Sequence, residues 1–153
     1  MPDKSFLKVF KNSNCLITGG TGLIGREVSK ILLEADANVN VVSLDRIKID
    51  ERINHIYGDL TDFSFCLKHT KGIDYVFHLA GIKGSIEVTK SKPASFFVPT
   101  LMFSINLMEA SRKQKVENFL YTSSIGVYSP SKEFIEDDVW KTFPSDKDRF
   151  AGW

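Results

Sequence analysis

The sequence has few cysteines, no excess of charge of one sign and no long apolar run. Only Cys15 and Cys66 occur among its 153 residues. Neither has a metal-ligand spacing, so both are expected to be buried small side chains in a reducing compartment. The 20 basic and 19 acidic residues leave a net charge of +1, which argues against nucleic acid and anionic membranes as partners. No apolar stretch approaches the roughly 20 residues of a membrane span.

Other signals of special architecture are missing as well. The first residues are too polar for a signal peptide, and there are no internal repeats, low-complexity segments or linkers rich in Gly, Pro or Ser. A hydrophobic content of 42% is enough for a real core. We therefore expect one globular domain in the cytoplasm.

Strand and helix patterns alternate along the chain. Apolar runs predict strands at 14–18, 39–44, 53–57, 74–79 and 116–124. Helical spacing predicts helices at 22–33 and 93–114. A further helix is predicted between Thr61, which would cap it, and Gly72, which would end it. Pro99 is expected to kink the third helix or to shift its start. This alternation predicts an α/β fold, a doubly wound parallel sheet of about five strands with its ligand site at their carboxyl ends.

Glycines mark the first turn from strand to helix, in the stretch "LITGGTGLIG". Gly19 would allow the tight turn, Gly22 would let a pyrophosphate approach the backbone, and Gly25 would let helix and strand pack closely. The helix N-terminus would offer N–H groups and a positive dipole end to the phosphates. Taken alone, the three glycines describe a flexible loop equally well.

An acidic residue follows the second predicted strand. Asp45 stands 20 residues after Gly25, where a carboxylate can accept hydrogen bonds from the adenosine ribose hydroxyls. Such a carboxylate repels a 2′-phosphate, which favours NAD over NADP. The next residue, Arg46, could instead pair with that phosphate, and Asp45 could also be an ordinary solvated loop residue.

Six segments in order then resemble the extended short-chain dehydrogenase/reductase superfamily, in particular its NAD-dependent epimerase/dehydratase family, which acts on nucleotide sugars. They are "TGGTGLIG", "LDR", "GDLTD", "HLAG", "NLMEASR" and "FLYTSSIGVY". The resemblance implies a Rossmann-like oxidoreductase domain that binds NAD. It also implies a nucleotide sugar as the small-molecule substrate, and it allows a homodimer in a full-length form.

The resemblance assigns roles to individual residues. His78 lies inside a predicted strand and is expected to be a satisfied core histidine rather than an acid or base. Ser124 takes the catalytic serine position, although its hydroxyl could merely cap the strand end. No metal ligand is implied. The implied cofactor-binding residues are Gly19, Thr21, Gly22, Leu23, Ile24 and Gly25 in the phosphate loop, Asp45 and Arg46 at the ribose, Asp59 and Leu60 at the adenine, and Leu79, Ala80 and Gly81 in the cleft.

The pattern departs from the family at its general acid/base. The family's tyrosine follows the serine by about 26 residues, which leads from Ser124 to Phe150, and the lysine four residues later would fall beyond Trp153. We therefore expect residues 1–153 to be an incomplete NAD(P)-binding domain, truncated after the fifth strand, without the substrate-binding part and without activity. Two alternatives remain open: a non-catalytic NAD-binding module, and a fragment of a ketone reductase of the steroid or flavonoid type.

Overall fold

One parallel sheet organises the protein. The computed structural model describes residues 5–82 and 86–141. All four strand pairings are parallel, and the order across the sheet is third, second, first, fourth, fifth. The predicted doubly wound α/β fold is thereby confirmed. The strands are β1 (Asn14–Thr18), β2 (Asn38–Ser43), β3 (Asn54–Tyr57), β4 (Tyr75–His78) and β5 (Asn118–Tyr121).

Helices connect the strands. Each predicted helix is present with its ends moved by a few residues, and one short helix that the sequence did not predict precedes the longest. The helices are α1 (Leu23–Glu34), α2 (Phe63–His69), α3 (Ile86–Ser91) and α4 (Ala94–Gln114). Within the described residues, three 3-10 segments accompany them, at Ser5–Phe10, Ile125–Val127 and Glu136–Lys141.

The side chains of β1 divide the core between the two faces of the sheet, because successive residues of a strand point to opposite faces. Leu16 lies in one cluster with Phe103 and Leu107 of α4. Cys15 and Ile17 lie in a second cluster, with Leu32 of α1. All three β1 residues are fully buried, and the last four residues of this central strand are all buried. Burial on both faces explains why the sequence of β1 is continuously apolar rather than alternating.

One local prediction is wrong, and for a second, one of its two alternatives is excluded. The N-cap of α2 is Asp62 and not Thr61, because the Asp62 carboxylate accepts the N–H groups of Ser64 and Phe65 at 2.8 and 3.3 Å. Pro99 does not move the start of α4, which begins at Ala94 and runs through the proline.

The chain divides into two compact units. The first comprises the described residues of 1–81 and 102–121 and contains the whole sheet; the second comprises those of 82–101 and 122–153. Within the part of the chain that the structure describes, no helix is both long enough and apolar enough to cross a bilayer.

Candidate functional site

The candidate site lies in the first unit, at the carboxyl end of the sheet. β1 pairs with β2 on one side and with β4 on the other. The chain leaves β1 toward α1 and β2, and it reaches β4 only after β3 and α2. This is the topological switch point, where open α/β sheets bind their ligands.

Gly19 places the glycine-rich loop against the backbone that follows β4. Its φ is +68°, a left-handed conformation that side chains with a Cβ adopt at a cost. An added Cβ would lie 2.8 Å from the Leu79 carbonyl oxygen and 2.9 Å from the Ala80 nitrogen. Only glycine fits this position without displacing one of the two segments.

Gly25 explains why the start of α1 can pack onto the same loop. An added Cβ there would lie 2.5 Å from the Cα of Gly20. Gly22 is the N-cap of α1, and its N–H donates to the Gly19 carbonyl at 3.0 Å. The structure thus shows close packing at Gly25 between the start of α1 and the loop that follows β1.

The N-terminus of α1 is open to solvent. The side chains of Leu23 and Ile24 are 87% and 61% exposed. The first turn of a helix leaves backbone N–H groups without intrahelical acceptors, and it carries the positive end of the helix dipole. The first residues of α1 are thus exposed, and they follow a loop whose Gly19 lies against Leu79 and Ala80.

Asp45 is positioned beside the loop by two hydrogen bonds. The Thr21 hydroxyl donates to its carboxylate at 3.1 Å, and the Ser43 hydroxyl donates to its backbone carbonyl at 2.7 Å. The carboxylate is solvent-exposed. The structure thus brings together Thr21 and Asp45, which are 24 residues apart in the chain.

Arg46 turns toward β3 instead. Its guanidinium lies over the ring of Tyr57, 5.9 Å from the centroid, within the range of a cation–π contact. The positive charge of Arg46 is therefore held over Tyr57 at the edge of the site, although Asp45 directly precedes Arg46 in the chain.

Asp59 and Leu60 follow β3. Asp59 is exposed, and its carboxylate accepts the Thr61 N–H at 2.8 Å. The Leu60 side chain is buried in the cluster around Leu16, and its carbonyl accepts the Asn106 side-chain N–H at 3.2 Å. The backbone of this segment is thus fixed by α4, while the Asp59 side chain is directed to solvent.

The wall of the cleft after β4 is held by Thr18. Its backbone carbonyl accepts the Leu79 N–H at 3.2 Å, and its hydroxyl accepts the Ala80 N–H at 3.3 Å. Gly81 is exposed, and an added Cβ there would meet nothing within 4 Å. Thr18 was not predicted as a site residue, although it is a polar residue that ends a buried strand directly before the first glycine.

His78 is a satisfied core histidine, as predicted. The residue is 1% exposed. Its Nδ1 lies 2.7 Å from the Thr18 hydroxyl, and its Nε2 lies 3.1 Å from the hydroxyl of Ser104 in α4. Burial lowers its pKa to about 4, so the ring is neutral at pH 7.

Ser124 belongs to the second unit and follows β5. The side chain is exposed, and its hydroxyl oxygen accepts the Gly126 N–H at 3.2 Å. Its backbone carbonyl accepts the Val127 N–H at 3.1 Å, which closes a short 3-10 turn. Phe150, at the predicted tyrosine position, lies outside the described residues.

The two cysteines take no part in the site. Cys15 and Cys66 are completely buried, and burial raises the pKa of their thiols to about 12 and about 11. Among residues 5–82 and 86–141, no cluster of three or more His, Cys, Asp or Glu side chains is arranged to hold a metal ion.

Comparison with known proteins places these features in one family. The profile of the NAD dependent epimerase/dehydratase family matches residues 15–147. GDP-mannose 3,5-epimerase 1 from Oryza sativa subsp. japonica is 29% identical over 85% of this chain and 37% of its own length. A 3 beta-hydroxysteroid dehydrogenase/Delta 5-->4-isomerase from Mycobacterium tuberculosis is 32% identical over 88% of the chain and 37% of its own length.

A solved structure agrees with the sequence relatives. The UDP-glucose 4-epimerase of Thermus thermophilus, in complex with NAD, superposes with a TM-score of 0.75 at 26% identity, over 91% of this chain and 47% of that one. The chain thus spans less than half the length of these related proteins.

Proposed function

The chain belongs to the NAD dependent epimerase/dehydratase family, and from this we propose that its first unit binds NAD at the switch point between β1 and β4. We further propose that this unit is the cofactor-binding part of an oxidoreductase of the nucleotide-sugar epimerase/dehydratase type. The observation that carries the proposal is the position of Gly19 against Leu79 and Ala80, beside the open N-terminus of α1.

The residues around the loop fit a dinucleotide. Gly22 has no side chain, and an added Cβ there would meet only the Gly19 carbonyl, at 3.2 Å. The pyrophosphate would bind to the N–H groups at the start of α1, as phosphates do at helix N-termini. Thr21, Leu23 and Ile24 would line this part of the cleft.

The adenosine end would bind at the ends of β2 and β3. Asp45, held by Thr21, would accept hydrogen bonds from the ribose hydroxyls. Asp59 and Leu60 would bind the adenine, and Leu79, Ala80 and Gly81 would form the wall toward the nicotinamide.

The charge at Asp45 favours NAD over NADP. A 2′-phosphate placed near this carboxylate would meet a like charge, which disfavours binding. Arg46, the next residue in the chain, could compensate for this charge, but its guanidinium lies over the ring of Tyr57. We therefore expect the carboxylate to decide the preference.

Ser124 would orient the substrate. The nicotinamide ring, when bound, supplies the acceptor and donor of a hydride. Because the Ser124 oxygen accepts the Gly126 N–H, its own proton can be donated to the sugar oxygen that is oxidised or reduced. Phe150 has no hydroxyl and cannot replace the family's tyrosine as general acid/base, so we propose that this chain binds NAD without turnover.

A ketone or steroid substrate is the second candidate. The relative from M. tuberculosis, named as a hydroxysteroid dehydrogenase, is 32% identical over 142 residues, at least as similar as the sugar-nucleotide epimerase from rice. Binding of UDP-glucose without binding of a 3β-hydroxysteroid, measured on the NAD-loaded protein, favours the nucleotide-sugar proposal. The reverse result favours the steroid candidate.

The direct test is a calorimetric titration of the protein with NAD and with NADP. We expect NAD to bind at least about tenfold more tightly, which corresponds to about 1.4 kcal/mol. Asp45→Asn removes the like charge and should reduce the ratio of the NAD affinity to the NADP affinity several-fold. Asp50→Asn is the matched control, because Asp50 lies in the same connection but pairs with Arg52 and should leave the ratio unchanged.

Three results would contradict the proposal in different ways. Failure of both dinucleotides to bind would remove the cofactor function itself. Tighter binding of NADP would overturn the role given to Asp45 and favour Arg46 as a phosphate ligand. Turnover of UDP-glucose above background would show that Phe150 does not prevent catalysis.

A further inference from the structure

A buried chain of polar side chains connects α4 to the candidate cofactor cleft. Thr18 and His78 are the last residues of their strands and are paired in the sheet. Ser104 of α4 packs over the same end. The exposed fractions of the three residues are 0%, 1% and 6%, so each hydrogen bond among them is formed away from solvent, where an unsatisfied donor is expensive.

The direction of these hydrogen bonds can be assigned from one fixed donor. The Ala80 N–H can only donate, so the Thr18 oxygen accepts it. Thr18 then donates its single hydroxyl proton to His78 Nδ1, which lies 2.7 Å from the hydroxyl oxygen. The neutral ring carries its one proton on Nε2 and donates it to Ser104, at 3.1 Å. The opposite direction would leave the surplus hydroxyl proton on Thr18, which is 0% exposed, rather than on Ser104, which is 6% exposed.

This chain ends at the wall that touches the glycine-rich loop. Ala80 lies so close to Gly19 that a Cβ on the glycine would be 2.9 Å from the Ala80 nitrogen. A change in the side-chain rotamer of Thr18, which moves its Oγ1, would release the Ala80 N–H and allow this wall to shift. The position of the wall therefore depends on side chains that do not reach the cleft themselves.

We propose that His78 and Ser104 are positioning residues for the cofactor cleft, acting through the Thr18 hydroxyl on the Ala80 amide. The inference rests on the proposed function, because it takes the cleft to be the NAD site. It adds a requirement that the ring of His78 be the Nε2–H tautomer.

The test compares two buried serines of α4. Ser104→Ala removes the acceptor of the His78 proton. Ser111→Ala is the matched control, since Ser111 is 3% exposed and its hydroxyl donates only within its own helix, to the Leu107 carbonyl at 2.7 Å. We expect Ser104→Ala to weaken NAD binding about fivefold, the effect of one lost hydrogen bond, and Ser111→Ala to change it less than about twofold.

Nuclear magnetic resonance of the same proteins, recorded without cofactor, measures the tautomer of His78 and the environment of the Ala80 amide. The ¹⁵N spectrum of His78 should show a proton on Nε2 and none on Nδ1. The Ala80 amide should shift, and exchange faster with solvent, in Ser104→Ala but not in Ser111→Ala. The Ala80 amide shift and exchange rate should stay closer to the wild-type values in His78→Gln, whose side chain can both accept and donate a hydrogen bond, than in His78→Leu.

The outcomes separate the two proposals. A wild-type protein that fails to bind NAD overturns the proposed function and the cofactor part of this inference, and the Ala80 amide then decides the positioning alone. A wild-type protein that binds NAD overturns this inference if the proton is on Nδ1, or if both serine variants move Ala80 and NAD affinity equally.

Discussion

At the scale of single residues, Gly19 and Gly72 share a positive φ in different surroundings. Their φ values are +68° and +72°. An added Cβ at Gly19 would contact Leu79 and Ala80 below 3 Å, whereas one at Gly72 would meet nothing within 4 Å. The pair therefore separates the cost of the conformation from the cost of crowding.

Alanine substitution should destabilise the two positions unequally. Gly72→Ala should lower the free energy of unfolding by about 1 kcal/mol, because only the left-handed conformation opposes it. Gly19→Ala should lower it by about 3 kcal/mol, because about 2 kcal/mol of overpacking is added. Urea denaturation of both variants measures the difference. Equal losses would mean that the wall after β4 moves away easily from the loop.

At the scale of elements, the sequence predicted the strands and helices better than their ends. β1 was predicted with its observed limits, and α1 is displaced by one residue from its prediction. β5 was predicted at 116–124 but occupies Asn118–Tyr121. Apolar periodicity reports where a segment is buried, and it says little about where backbone pairing stops.

The cap of α2 shows why helix ends are hard to predict. Thr61 and Asp62 are adjacent and both are good capping residues. Only the structure shows that the Asp62 carboxylate accepts two N–H groups of the first turn. The 3-10 segment Ser5–Phe10 was not predicted for a related reason. Its Phe10 ring packs on Tyr75 of β4, with 5.0 Å between the ring centroids, and no local pattern reports a contact between such distant parts of the chain.

The capping assignment predicts unequal effects for two neighbouring substitutions. Asp62→Ala should lower the free energy of unfolding by about 1 kcal/mol, because two N–H groups of α2 lose their acceptor. Thr61→Ala should change it by less than about 0.5 kcal/mol. Chemical denaturation followed by circular dichroism measures both. A larger loss for Thr61→Ala would contradict the observed cap.

At the scale of the whole molecule, the candidate site combines predictable and unpredictable parts. The glycine spacing and the position of Asp45 could be found in the sequence, since they depend on local order along one strand–helix–strand unit. The contacts of Gly19 with Ala80, and of His78 with Ser104, join residues far apart in the chain, the latter pair 26 residues apart. No local pattern reports such contacts, so Thr18 and Ser104 were missed.

The neutral, buried His78 should make the stability of the whole fold depend on pH. Its pKa is about 4 in the folded protein and about 6.5 in an unfolded chain. Between these values the unfolded state binds a proton that the folded state does not, so the free energy of unfolding falls as the pH falls from 6.5 to 4. The difference of about 2.5 pKa units corresponds to a loss of about 3 kcal/mol.

Other groups set the controls for this prediction. The pKa of His69 is also lowered, by burial and by Lys68, so His69 changes the free energy of unfolding in the same direction. The Asp50 carboxylate has a pKa of about 2, because of its hydrogen bonds with Arg52, and loses its charge only in stronger acid. Urea denaturation at pH 7, 5.5 and 4.5 should show a smaller loss of stability for His78→Gln than for wild type. His69→Gln should retain most of the loss, and a wild-type slope in His78→Gln would assign the acid sensitivity to other groups.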